Sequence, residues 1–265
     1  MRLVVVGCSG SFPGPDSAAS SYLLEAEHGS GAERRTWRLL VELGNGALGP
    51  LQRACDPYSL DAAVVTHLHS DHVADLVVLN VMRRYRPEGP CAPLDLYGPD
   101  GTGRRLAEMA GTDPATDMAD QFTVHHWTDH GTVQVGPFEI TSIPVQHPVP
   151  AFGLRISGPA EDDPDRRVVL AYTGDTDTCP GLTELSAGVD LLLAEAAFVE
   201  GRDDALRGVH LTGRRAGETA AEAGVGLLVL THVAPWNDAQ VTLAEARGVF
   251  TGPIELARPG AVHAL

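Results

Sequence analysis

Lysine is missing from this 265-residue chain. All 19 basic residues are arginine, set against 35 acidic ones, and the formal net charge is −16. A surface this acidic repels polyanions, because nucleic-acid affinity is built mainly on neutralising phosphates with Lys and Arg. Large nucleic acids are therefore not expected as partners. A small substrate with a single phosphate escapes this argument, because metal ions inside a pocket dominate the local field. The chain also lacks an apolar run of 18 residues, so no transmembrane helix and no membrane partner are expected. Its four cysteines, Cys8, Cys55, Cys91 and Cys179, have no CxxC spacing. They read as reduced, packed thiols of a cytoplasmic protein rather than a disulfide frame. The start, Met1-Arg2-Leu3-Val4-Val5-Val6-Gly7, is interrupted too early for a signal peptide and reads as a first strand.

What the chain does have is a metal-binding run. Residues 66–72 read Thr-His-Leu-His-Ser-Asp-His, directly after the apolar stretch Ala62-Ala63-Val64-Val65. That stretch has strand character. At an extended strand end, side chains i and i+2 point the same way, so His67 and His69 can share one metal. Asp71 and His72, beyond a turn, reach a second. Imidazole and carboxylate donors together suit zinc first, with manganese or iron as alternatives. Three further candidates follow apolar β-type runs. They are His147 after 138–143, Asp175 after Leu170-Ala171-Tyr172, and His232 after Leu227-Leu228-Val229-Leu230. Donors at several strand ends can converge on one edge of packed sheets.

The order and spacing of these motifs resemble the metallo-β-lactamase fold superfamily over about residues 2–250. The resemblance implies an α/β fold, a four-layer αββα sandwich, taken as one domain over 1–265. It implies two divalent metals per chain. His67, His69 and His147 would hold the first, Asp71, His72 and His232 the second, and Asp175 would bridge them. It also implies a supporting acid beneath the metal loop, a place taken here by Glu42 where the family usually has Asp.

Two features narrow the branch. Glu195-Ala196-Ala197-Phe198, followed by His210-Leu211-Thr212 and a helix, resembles the ribonuclease Z-like branch. There a histidine in the place of His210 is not a ligand but lies near the scissile phosphate, which implies a catalytic role in stabilising charge or protonating the leaving oxygen. Glu195 would orient it, and Asp71 would take a proton from the attacking water. The second feature is the interval 148–174, which holds two strands joined by the acidic loop Glu161-Asp162-Asp163-Pro164-Asp165. The tRNA-processing members carry a basic arm there, and none fits. Gly7-Cys8-Ser9-Gly10-Ser11, the pair His125-His126, and Thr231-His232-Val233-Ala234-Pro235-Trp236 further resemble actinobacterial class II cyclic-nucleotide phosphodiesterases. That likeness implies hydrolysis of a small phosphodiester, with cAMP as the family expectation, by a homodimer. The rivals are a ribonuclease Z-like endonuclease, a hydrolase of lactones, thioesters or phosphonate esters, and a metal-stabilised binding protein. Trp236 reads equally as a wall for a base or as core, and His125 and His126 as surface residues.

Overall fold

The strands are apolar on both faces because both faces are covered. In the computed structural model, which describes residues 1–116 and 118–265, two seven-stranded sheets pack face to face with helices outside each. Asp117, in the polar stretch 112–120, lies outside the described residues.

The first sheet holds β1 (Arg2–Gly7), β2 (Ser21–His28), β3 (Arg35–Val41), β4 (Ala62–Val64), β5 (Leu94–Gly98) and β6 (Phe122–His126), with the C-terminal β14 (Val262–Ala264) added beside β1. The second runs from β7 (Thr132–Val135) through β8 (Phe138–Pro144), β9 (Phe152–Pro159), β10 (Arg167–Tyr172), β11 (Leu191–Glu195) and β12 (Leu227–Thr231) to β13 (Ile254–Leu256). Each sheet is part antiparallel and part parallel. In the second, β7 to β10 pair antiparallel and β10 to β13 parallel. The short strands β13 and β14, three residues each among Pro and Gly, carry too little periodicity to be anticipated.

Alternation assigns the residues to layers. Tyr22, Leu24, Leu39 and Val41 face the second sheet, while Leu23 and Leu40 face the helices. Leu191, Leu193 and Val229 likewise face inward, and Leu192, Leu228 and Leu230 outward. The helices α1 (Leu48–Ala54), α2 (Ser70–Arg84) and α3 (Thr102–Ala110) cover the first sheet, and α4 (Pro180–Ser186), α5 (Gly213–Ala223) and α6 (Ala239–Arg247) the second. This is the expected αββα sandwich. Among the described residues, no helix is long and apolar enough to cross a membrane. All four cysteines are free.

The parallel halves position the site. The C-terminal ends of β4, β10 and β12 lie at one edge of the sandwich, where the chain leaves each strand into a loop. Beneath that edge, the Tyr22 hydroxyl pairs with Thr231 Oγ1 at 2.7 Å, and the Tyr22 and Tyr172 rings meet at 5.1 Å between centroids. These buried contacts tie the two sheets together just below the loops.

Candidate metal centre

Seven of the predicted residues converge. His67 Nε2 and His147 Nε2 lie 3.1 and 3.2 Å from His69 Nδ1. His72 Nε2 and His232 Nε2 are 3.3 Å apart, and His232 Nε2 is 3.1 Å from Asp71 Oδ2. Asp175 stands between the groups, with Oδ2 at 3.6 Å from His67 Nε2 and Oδ1 at 3.3 Å from His72 Nε2 and 3.5 Å from His232 Nε2. Ligands bonded at about 2.0–2.1 Å around a tetrahedral ion lie about 3.3 Å from one another. The spacing within each group therefore suits one divalent ion, with Asp175 shared. Asp175 Oδ1 is moreover buried without a hydrogen-bond partner among the described residues. A buried, orphaned carboxylate oxygen facing imidazoles is an acceptor that only a cation satisfies well. The residues present fit two ions.

Local structure explains how seven donors reach one place. The strand β4 ends at Val64, earlier than the motif suggests, and α2 begins at Ser70. His67 and His69 therefore lie on a short irregular loop rather than an extended strand end, and Asp71 and His72 occupy the first helical turn. Glu42 organises this loop. Its Oε1 accepts from the Thr66 amide at 3.0 Å and the Thr66 hydroxyl at 2.5 Å, and lies 3.4 Å from His72 Nδ1. The backbone at Glu42 is left-handed, φ 61°. His232 is also left-handed, φ 55°, and its carbonyl packs on Gly10, where a Cβ would sit 2.1 Å from that oxygen. Only glycine allows the 9–12 loop to approach so closely, and this approach brings the Ser11 amide to 3.4 Å from His232 Nε2.

The His147 ring is aimed from behind. His147 Nδ1 donates to the Val209 carbonyl at 2.9 Å, leaving Nε2 for the centre. Burial keeps His67, His69 and His147 below the ordinary imidazole range, and repulsion from neighbouring imidazoles adds to this for His67. They are neutral at neutral pH, as ligands must be. Burial alone would raise Asp175, but His232, His72 and His67 around it hold it well below the carboxylate range. Burial would lower His72, yet Asp175 and Glu42 hold it well above its ordinary value.

His210 sits at the edge of the centre, with Nδ1 at 2.8 Å from Glu195 Oε1 and 3.8 Å from Asp175 Oδ2. Glu195 is fully buried. It also accepts from the Thr176 amide at 3.0 Å, and from the Ala197 amide at 3.0 Å. Those bonds fix the carboxylate, and the carboxylate fixes the ring. Burial pushes His210 down, but Glu195 overrides it and lifts the pKa to about 9. Thr212 caps α5 by accepting from the Arg215 amide at 3.1 Å.

Other expectations place differently. His125 is bonded to Asp95 at 2.8 Å on the edge strand β6, away from the ligands, as a surface residue. His126 is exposed on the same strand. Trp236 is not core: it is 66% exposed and packs on Phe12 with ring centroids 4.7 Å apart. Sequence reasoning missed Asp177. Its buried carboxylate receives Arg207 Nε at 2.7 Å, the Gly208 amide at 2.8 Å and the Thr178 amide at 2.7 Å. It thereby pins the segment that carries both the Val209 carbonyl and His210. The signal was present as a second acid two residues after Asp175, but nothing in one sequence distinguishes it from a solvated loop acid.

Residues 37–233 match the family model described as a beta-lactamase superfamily domain. An uncharacterized protein of Mycobacterium tuberculosis is 43% identical over 258 residues, covering 96% of this chain and 88% of the relative. The crystal structure of the metallo-beta-lactamase fold protein YhfI from Bacillus subtilis superposes with a TM-score of 0.80 at 27% identity, covering 99% and 98% of the two chains. The short form of human tRNase Z gives 0.74 at 20% identity over 100% and 99%, a likeness of fold. The chain belongs to the beta-lactamase superfamily, and with this donor set it is a metallo-hydrolase.

Proposed function

We propose that this metallo-hydrolase is a phosphodiesterase for a small phosphodiester, foremost a 3′,5′-cyclic nucleotide such as cAMP, opened to its 5′-monophosphate. One observation carries the reading. A non-ligand histidine, His210, is held by a buried carboxylate at 2.8 Å and faces the shared acid Asp175. Thioester hydrolysis, which expels a weakly basic thiolate, has less need of such an acid, whereas a poor alkoxide leaving group on phosphorus needs a proton donor.

His67, His69 and His147 would hold one ion, Asp71, His72 and His232 the other, and Asp175 would serve both. Zinc suits the donors first, and manganese or iron have the same ligand chemistry. Bound divalent ions supply Lewis acidity toward phosphoryl oxygens and a water-derived nucleophile at neutral pH.

The chain's own groups complete the reaction. His210, protonated below about pH 9, delivers a proton from its outer ring nitrogen to the departing 3′ oxygen. Glu195 keeps the other nitrogen occupied, so the ring cannot turn away. Asp71, which His232 and the nearby imidazoles hold ionised against the effect of its burial, receives a proton from the attacking water. Glu42 holds the loop on which four of the donors stand.

The net charge of −16 and the acidic 161–165 turn between β9 and β10 favour a small substrate over RNA. We further propose a cytoplasmic homodimer, testable by sedimentation. The catalytic reading is tested by His210→Ala, which keeps both metals and loses at least about 100-fold in kcat. Wild-type phosphodiester turnover by that variant rejects it.

A further inference from the structure

We propose that a pocket beside His69 receives the planar organic group of the substrate, a nucleobase or an aryl ring. This rests on the phosphodiesterase reading above. The cavity has a volume of about 290 Å³ and is lined by Leu68, His69, Pro99, Arg105, Val149 and Pro150, with Asp100 also on its wall.

Leu68 lies between two of the proposed ligands, and Val149 and Pro150 follow His147 within three residues. The cavity therefore opens from the same two loops that carry the first cluster. His69 both lines the cavity and belongs to the first cluster, so the cavity adjoins the centre. Its volume is near the lower end of small-ligand pockets, about 300 Å³. It suits one ring system and excludes a polymer.

The wall chemistry is aliphatic and prolyl. Such a surface gains by covering a flat, weakly hydrated face and offers little to a sugar hydroxyl or a second phosphate. Arg105 is exposed and makes no ion pair among the described residues. In a chain of net charge −16, a guanidinium beside the centre is out of keeping with the surface field. Its planar head can lie on a ring and also draw the anion in.

A competing wall stands on the other flank. Phe12 and Trp236 pair next to the 9–12 loop that contacts His232, on the side of the second cluster. Trp236 is mostly exposed. The pocket at His69 is contiguous with the ligand loops and lined mainly by apolar side chains, so the ring is assigned there.

The test compares two probes with the same leaving group. Bis(p-nitrophenyl) phosphate carries a second aryl ring, and methyl p-nitrophenyl phosphate carries a methyl in its place. Metal-loaded wild-type protein is expected to show a KM about tenfold lower for the diaryl ester. Val149→Trp, which fills the cavity, is expected to bring that KM ratio close to one. Val149→Ala removes wall atoms without crowding the loop, and is expected to lose about threefold of the same preference. 5′-AMP should inhibit the wild type well below the concentration at which inorganic phosphate does, and Val149→Trp should lose most of that difference. A preference that survives both Val149 variants, or that disappears in Trp236→Ala instead, overturns the assignment. Turnover of both esters by the wild type with no preference also overturns the pocket while leaving the phosphodiesterase. Turnover of neither, with two metals bound, overturns the phosphodiesterase reading itself.

Discussion

Replacing Glu195 by Gln isolates the electrostatic part of the site with little change of shape. Glu195 is buried and lifts His210 to about 9 from an ordinary 6.5. Without the carboxylate the largest raising influence is gone, only Asp175 still opposes burial, and the ring's pKa falls. The charged ring and the acid are coupled through this contact, at about 1.4 kcal/mol for each tenfold change in the ring's acidity. The variant ring loses its proton at lower pH than the wild-type ring, so kcat should fall about tenfold or more at pH 8 and far less at pH 6. Asp175 adds to the lift at 3.8 Å, and cations held by Asp175 cancel that share. Metal loading therefore moves the alkaline limb of the wild type below 9, and the displacement between the two proteins is the quantity to read. The sign for stability follows from the raised pKa. This coupling stabilises the fold fully below pH 6.5 and is lost as pH rises through about 9. The assay is the pH dependence of kcat on 3′,5′-cAMP, whose 3′ alkoxide needs the proton, with metal quantified in each sample. An alkaline limb that does not move in a variant retaining two metals refutes the assignment of His210 as the acid.

Asp177→Asn should loosen the Arg207–His210 segment and with it the acceptor for His147, weakening metal affinity at the first cluster about 10- to 100-fold, measured by chelator competition. Glu42→Ala orphans the buried Thr66 amide and should destabilise the fold by about 1–3 kcal/mol in urea melts, with a greater loss of metal than of secondary structure. Gly10→Ala places a Cβ against the His232 carbonyl, so the loop must retreat. Loss of metal at the second cluster is expected, read by stoichiometry. Chelation of the wild type should lower its thermal midpoint, since ions held at about 1,000 times their Kd stabilise by about 4 kcal/mol.

The ligand set was legible because its members are chemically unusual where they stand. A strand as apolar as 62–65 rarely ends in four metal-capable side chains, and the same signature recurs at 147, 175 and 232. The layer architecture was legible because strands such as 191–194 and 227–230 are apolar at every position, which only a sheet covered on both faces tolerates. The start of α2 was not. His69 occupies the capping position with no side-chain cap, so the helix begins without the usual Ser, Thr or Asp signal and is held instead by Glu42 from another strand. Asp177 and Arg207 were hidden for the same reason: their pairing depends on a contact thirty residues apart in the chain, which no local pattern reports. Trp236 could be either wall or core on sequence alone. Its exposure is decided by the turn after β12, which faces solvent rather than a sheet.

The account turns on whether this centre hydrolyses a phosphodiester. The direct measurement is turnover of bis(p-nitrophenyl) phosphate and 3′,5′-cAMP by purified protein whose metal content is determined in the same sample, with and without a chelator. The account predicts close to two metals per chain, turnover of both substrates, 5′-AMP as the product of the second, and loss of both activities on chelation. Two bound metals with turnover of neither would contradict it and direct the search to lactones and thioesters.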